Sequence, residues 1–541
     1  MRKHENTYLR PSMNELLHVS DFSLQIGTLP AVQQISFSIA AGEQVSIVGE
    51  SGSGKTVTAL SLLGLHPGKI TSGKAVFHSE NKTADLFSLR NKELHLLRGK
   101  EIGYVFQEPG LCLNPSITCG KQVAEVIRFH LKQTEKQAYE ETILWFTKVG
   151  FNEPERMYNS YPHQLSGGQK QRVMLAIAMA PNPKLLIADE PTTALDVTVQ
   201  KQIVELLRSL CIENTTALLF ITHDLGLATA MSDRTLVMQH GKMVEQGVTK
   251  DVFSNPQHPY TQQLVYTRIT MTTPPATKPD IGSEIIIAAK NITASYADGG
   301  LLTKKVPVYA LNDISFTIRR GETLGLVGES GSGKSTLGQI LMGLKTPDSG
   351  KLEIFGKNIF DMEPNELRLF RKKFRVIFQD PFSSFNPKIT IGSQIQETMA
   401  VYNMYSSSKR RADKTAEWLE RVGLKPEDAH RLPDSFSGGQ RQRIAIARAL
   451  ACEPEFLVCD ECVSSLDVSL QREILTLLLH LQRQFNMGLL FISHDPAMVK
   501  FMCENVMVLK DGKTMEYGKT AEVWQNPKSE YTNHLLNMMI S

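Results

Sequence analysis

The chain has 541 residues, too many for one hydrophobic core, and 41% of them are hydrophobic, as in a globular protein. Its 59 basic and 56 acidic residues leave a net charge of +3, which gives no sign of a nucleic-acid-binding surface. No run of about 18 apolar residues occurs, so no membrane span is expected, and the basic residues near the start have no apolar core behind them to make a secretory signal.

In chain order, the first predicted elements are a short apolar strand, Gln44–Val48, and the sequence GESGSGKT at 49–56, which opens a helix. This is the G-x-x-x-x-G-K-[ST] phosphate loop. Gly49, Ser51, Gly52, Ser53 and Gly54 let backbone N–H groups converge on phosphates, with the helix dipole behind them. Lys55 should reach the β- and γ-phosphates, and the Thr56 hydroxyl should serve Mg²⁺. Gln107 follows. Val123, Val126, Ile127 and Leu131 then form one apolar helical stripe.

LSGGQ at 165–169 opens another helix, where Ser166, Gly167, Gly168 and Gln169 make a second anion site. One domain has no need of two γ-phosphate sites, so this one is expected to serve the nucleotide of another domain. A buried-type strand, Leu185–Ala188, ends in Asp189 and Glu190. Asp189 is expected beside the metal. Because side chains alternate along a strand, Glu190 is expected to point elsewhere and to orient or deprotonate the attacking water. The next strand, Ala217–Ile221, leads to His223, placed to contact the γ-phosphate and to hold the water and the glutamate.

Residues 268–283, RITMTTPPATKPDIGS, read as a linker between a domain at 14–267 and another at 284–541. The second domain repeats the first in order. Strand Thr323–Val327 enters GESGSGKS at 328–335, with Gly328, Ser330, Gly331, Ser332, Gly333, Lys334 and Ser335 in the same roles. Gln379 follows, then a helical stripe through Ile391, Ile395 and Met399. FSGGQ supplies Ser437, Gly438, Gly439 and Gln440. Strand Phe456–Cys459 ends in Asp460 and Glu461, and strand Gly488–Ile492 leads to His494. The copies are 279 residues apart at Lys55 and Lys334, and 272 apart at Gln107 and Gln379. They are 271 apart at Ser166 and Ser437 and stay so to His223 and His494. The first copy therefore holds seven extra residues, expected in the polar stretch His78–Thr83. The seven cysteines read as reduced thiols, and Cys459 and Cys462, though spaced CxxC, as filler around the acidic pair.

Phosphate loop, Q-loop, SGGQ signature, acidic pair, Ala-Leu-Asp or Ser-Leu-Asp loop and histidine switch, in this order, resemble the ATPase domains of ABC transporters over nearly the whole chain. The resemblance implies an α/β fold: two P-loop NTPase (ABC-type) domains, each with an inserted helical subdomain. It implies ATP and Mg²⁺ as cofactors, with Gln107 and Gln379 touching the metal beside Thr56, Asp189, Ser335 and Asp460. It further implies head-to-tail pairing of the two domains, with Asp196 and Asp467 in loops that cross between them.

FQEPGLCLNP, FQDPFSSFNP, NPQHPYTQQL and NPKSEYTNHL are similar to segments of oligopeptide, dipeptide and nickel importers, whose ATPases here look fused into one chain. Two transmembrane permease subunits and an external substrate-binding protein are then the implied partners. The implied location is peripheral, on the cytoplasmic face of the inner membrane. Leu111, Leu113, Phe382 and Phe385 fit either a groove for permease helices or the core of the helical subdomain.

Tyr296 stands where the family stacks a ring on adenine. Ile26 takes that place in the first copy, with Phe22 four residues off register. Cys462 replaces the proline found in the first copy, Pro191. Two hydrolysing sites are expected. The alternatives are a twin ATPase acting on ribosomes and the ATPase of a sugar-type importer. The short linker and the Gln-ended signatures weigh against the first, and an intact second copy weighs against the other.

Overall fold

The computed structural model describes residues 15–79, 82–193, 195–271, 281–298, 306–378, 384–464 and 466–540. Two compact units divide the chain, the first made of 1–195 and 199–266 and the second of 196–198 and 267–541.

The first unit contains ten strands among its described residues. They are β1 (Glu15–Ile26), β2 (Leu29–Ala40), β3 (Gln44–Val48), β4 (Lys69–Ser79), β5 (Lys82–Asp85), β6 (Ile102–Val105), β7 (Leu185–Asp189), β8 (Ala217–Thr222), β9 (Arg234–Gln239) and β10 (Lys242–Val248). Six of them form a sheet in the order β10-β9-β3-β8-β7-β6, parallel except for the β10–β9 hairpin. Every residue of β3, β7 and β8 is buried. That is why these segments read as mostly apolar runs, with Gln44 and Ser46 the polar exceptions in β3: parallel strands covered on both faces leave no solvent side.

The remaining strands form an antiparallel sheet, β2-β1-β4-β5, which the sequence reading did not anticipate. Its strands β1, β2 and β4 are long, and the register shifts in the pairings of β1 blur the two-residue period that would reveal them. Phe22 and Phe77 share one buried core with Ala59 and Leu62 of the phosphate-loop helix, Lys55–Leu62.

The helical insertion runs through Cys119–Leu131, Glu135–Lys148 and Pro154–Asn159. Val123 and Ile127 are fully buried against Trp145 and Phe146. Leu131 departs from the expected stripe and is 38% exposed, because the helix ends there and Lys132 turns left-handed.

The seven extra residues are spread more widely than expected. The copies are 277 apart at Gly73 and Gly350 and 273 apart at Asp85 and Asn358, so two residues lie before Gly73 and four in the β4–β5 hairpin. The helix Pro259–Met271 takes in the first four residues of the stretch read as linker, and 272–280 lie outside the described residues.

The second unit repeats this plan with β11 (Ile285–Asp298), β12 (Val306–Arg319), β13 (Thr323–Val327), β14 (Ser349–Ile354), β15 (Lys357–Asn358), β16 (Phe374–Ile377), β17 (Phe456–Asp460), β18 (Gly488–Ser493), β19 (Asn505–Lys510) and β20 (Lys513–Lys519). Its sheets run β12-β11-β14-β15 and β16-β17-β18-β13-β19-β20. In its insertion Ile391, Ile395 and Met399 are all fully buried.

Candidate functional site

Register brings the chemistry together. Val48 pairs with Thr222 and Asp189 with Ile221, so β3, β7 and β8 end along one edge of the parallel sheet. Ligands of open α/β sheets bind at this carboxyl edge. The phosphate loop, the acidic pair and His223 all leave the sheet there.

Gly54 caps the loop helix with φ 100°, and a Cβ on it would lie 2.7 Å from the Ala31 carbonyl oxygen. Gly333 does the same at φ 105°, 2.3 Å from the Ala310 oxygen. Only glycine fits both the handedness and the space. Lys55 is buried and its Nζ donates to the carbonyls of Gly49 at 2.7 Å and Glu50 at 2.9 Å. Lys334 donates likewise to Gly328 at 2.7 Å and Glu329 at 2.8 Å. Among the described residues, the buried hydroxyls of Ser53 and Ser332 have no hydrogen-bond partner. An unsatisfied buried hydroxyl at the same place in both loops is what a phosphate site leaves for its ligand.

The acidic pair departs from strand alternation. β7 stops at Asp189, and Glu190 adopts φ 45°; Glu461 adopts φ 46°. A left-handed glutamate in both copies is local strain of the kind that gathers at working sites. The turn gathers Glu190 among polar partners. Gln107 Nε2 donates to its Oε2 at 3.2 Å, Thr193 Oγ1 donates to the same oxygen at 3.0 Å, and His223 Nδ1 lies 3.2 Å from Oε1. In the second unit His494 Nδ1 lies 3.3 Å from Glu461 Oε2. Gln379 and Phe382 lie outside the described residues.

Thr56 Oγ1 donates to Asp189 Oδ1 at 3.1 Å. A hydroxyl and a carboxylate at the head of the phosphate loop are hard oxygen donors, the set that suits Mg²⁺. Burial raises Asp189, against the hydrogen bonds from Tyr104 and Thr56. Burial and then the charge of Glu461 raise Asp460 to about 6, with Lys334 opposing. Burial also holds Lys334 below the ordinary lysine value, against the pull of Glu461 and Asp460.

For the histidine–glutamate pairs, burial opposes charge on both partners, but their mutual hydrogen bond and attraction prevail. Both glutamates sit below the usual carboxylate value and both histidines above the usual imidazole value. The histidine's share of stability is present below the ordinary imidazole value and is lost as pH rises through its raised value. The glutamate's share is present above the ordinary carboxylate value and is lost as pH falls through its lowered value. The pair's contribution is therefore present between the lowered carboxylate value and the raised imidazole value. Histidine-selective ¹³C NMR should show two imidazoles titrating above the usual range, and Glu190→Gln should return His223 to lower pH. Unchanged His223 titration in that variant would remove the pair.

Ser166 and Ser437 are the N-caps of helices Gly167–Met179 and Gly438–Leu450. Ser166 Oγ accepts from the Gln169 N–H at 3.3 Å, and Gln169 Oε1 accepts from the Ser166 N–H at 3.0 Å. Ser437 and Gln440 close the same capping box. The signature glutamines thus also set the helix start. Asp467 caps helix Val468–Phe485 by accepting from Leu470, and Asp196 immediately precedes helix Val197–Glu213.

Tyr296 pairs with Val308 and Ile26 with Leu29 at matching places in their hairpins, so Ile26 is its structural counterpart. Phe22 is fully buried against Phe87, 4.7 Å between ring centroids, and so has no exposed face to offer a nucleotide base. Leu113 and Phe385 belong to the core rather than to a docking groove, whereas Leu111 is 81% exposed. All seven cysteines are free, and Cys459 and Cys462 are buried in the core. No helix among the described residues is long and apolar enough to cross a membrane.

Sequence reasoning missed several residues near the site. Tyr260 OH accepts from the Glu50 N–H at 2.9 Å, and Tyr531 OH accepts from the Glu329 N–H at 3.1 Å. Both tyrosines lie in the NPQHPYTQQL and NPKSEYTNHL segments, so these segments brace the phosphate loops. Tyr104 and Thr193 were also missed. The capping role of the signature glutamines was missed as well, although serine and glutamine at capping-box spacing in SGGQ signalled it.

The family model for the ABC transporter matches residues 32–193 and 311–464, and the model described as oligopeptide/dipeptide transporter, C-terminal region, matches 244–291. The peptidoglycan transport ATP-binding protein YejF of Agrobacterium fabrum (strain C58 / ATCC 33970) is 42% identical over 530 residues, 96% of each chain. The glutathione import ATP-binding proteins GsiA of Pectobacterium atrosepticum and of Escherichia coli (strain K12) are 41% identical over 537 residues, 94% of this chain and 86% of theirs. With two copies of one ATPase constellation on matching sheet edges, the chain belongs to the ABC transporter family, as an ATP-hydrolysing subunit that carries two of its ATP-binding domains.

Proposed function

We propose that the chain powers uptake of peptide-class cargo, with glutathione and nickel as related possibilities, through two permease subunits fed by an external binding protein. The observation that carries the reading is the duplicated site joined to the tyrosine-bearing segments. The stretch matched by the oligopeptide/dipeptide model contains Tyr260, which touches the phosphate loop. Relatives named for peptidoglycan and glutathione transport, similar over nearly their whole length, support the cargo class. The chain would sit on the cytoplasmic face of the inner membrane, held there by the permeases.

In this reading domains 14–267 and 284–541 pair head to tail. Each ATP is held by one domain's phosphate loop and the other's signature. Thr56 and Asp189, with Gln107, would hold Mg²⁺ in the first site; Ser335 and Asp460, with Gln379, would hold it in the second. The ion supplies charge neutralisation at the β- and γ-phosphates. Lys55 and Lys334 bind those phosphates. Glu190 and Glu461 accept a proton from the attacking water, and His223 and His494 keep each glutamate ionised and in place. Tyr296 would stack on adenine in one site, and Ile26 would give an apolar contact in the other.

Purification of the tagged chain from membranes tests this. Two permeases and a binding protein should come with it, and peptides should raise the melting temperature of that binding protein. Copurification with ribosomes, or a binding protein stabilised by sugars alone, would overturn the reading.

A further inference from the structure

The two metal-side carboxylates are held differently. β6 and β7 are parallel, and Tyr104 pairs with Ile187, two residues before Asp189. β16 and β17 are likewise parallel, and Val376 pairs with Val458, two residues before Asp460. Tyr104 and Val376 therefore occupy one position in the two sheets.

Tyr104 OH donates to Asp189 Oδ2 at 2.9 Å, while Thr56 Oγ1 donates to Oδ1 at 3.1 Å. Both oxygens of a carboxylate that is only 3% exposed are thus addressed. The Tyr104 ring is itself packed against Phe106, 4.4 Å between centroids. Valine has no donor, and among the described residues no hydrogen bond reaches the Asp460 carboxylate.

We propose that Tyr104 is a positioning residue that orients the magnesium-binding carboxylate of the first site, and that the second site, with Val376 in its place, binds the divalent cation more weakly. The inference rests on the assignment of Mg²⁺ to Thr56 and Asp189. A carboxylate whose rotamer is already fixed loses little freedom when it takes a metal. A donor on Oδ2 also draws some charge from the ligand, but outer partners that orient a ligating group are worth about 10–100-fold in metal affinity, so orientation prevails.

The test is Mn²⁺ titration of the full chain with ADP, followed by electron paramagnetic resonance. The wild type should bind two Mn²⁺ per chain in two steps, separated by on the order of tenfold. Tyr104→Phe keeps the ring and its packing. It should move the tighter step to the weaker one, with metal-free ADP affinity and thermal unfolding unchanged. Val376→Tyr should tighten the second step. Two equal steps in the wild type, or an unmoved tight step in Tyr104→Phe, would overturn the role of Tyr104 and leave the magnesium assignment standing. A loss of metal-free ADP affinity in that variant would mark Tyr104 as merely structural and also overturn it. If no Mn²⁺ binds with ADP, the magnesium assignment falls, and this inference with it.

Discussion

Replacing Glu190 and Glu461 together by glutamine should lower ATP turnover by roughly 10²–10⁴-fold while two nucleotides per chain stay bound. Glutamine keeps the size of the side chain and an oxygen that can accept from Gln107 and Thr193, whose bonds to Glu190 measure 3.2 and 3.0 Å. It cannot take a proton from water. It also cannot hold the charge that raises His223 and His494. Both losses bear on the hydrolytic step, and neither touches the phosphate loop, where Lys55 and Lys334 bond to loop carbonyls. Phosphate release and equilibrium binding of a fluorescent ATP analogue measure the two properties separately. Each single variant should keep hydrolysis at the other site. Near wild-type turnover in the double variant would remove both glutamates from the mechanism.

What could be read from the residues follows from how each element is buried. β3 and β13 were placed at their observed bounds, and β7, β8, β17 and β18 within one residue, because a strand covered on both faces is apolar along most of its length. The phosphate loop was legible because glycine spacing reports backbone geometry directly. The antiparallel sheet was not, since bulges in β1 and β11 interrupt the alternation that marks a half-buried strand.

At the site itself, the residue types were legible and their orientations were not. Strand alternation separated Asp189 from Glu190 for the wrong reason: the strand has ended, and a left-handed turn at Glu190 gathers Gln107, Thr193 and His223. Nothing local to Tyr104 announces its bond to Asp189. The two lie 85 residues apart, and only the β6–β7 register joins them. A still greater separation hid Tyr260, 210 residues from the Glu50 N–H that it accepts from.

Lys55→Ala and Lys334→Ala should each reduce ATP bound per chain from two to one at concentrations that saturate the wild type. A hydrogen bond to a charged group contributes about 1.5–3 kcal/mol, which is roughly tenfold to a hundredfold in affinity. The loss here lies toward the upper end, because each lysine has two tasks. Its Nζ fastens two carbonyls of its own loop, Gly49 and Glu50 in the first unit and Gly328 and Glu329 in the second. Alanine leaves those carbonyls without their donor as well as removing the phosphate contact. The loop helices themselves should persist. Their N-caps depend on left-handed Gly54 and Gly333, and the Tyr260 and Tyr531 hydroxyls still hold the loop backbone. Thermal unfolding without nucleotide should therefore change less than binding does, and isothermal titration gives the stoichiometry. Two full-affinity sites in either variant would show that the mutated lysine is not a phosphate ligand. Loss of both sites from one substitution would instead mean that nucleotide binding at the two loops is coupled.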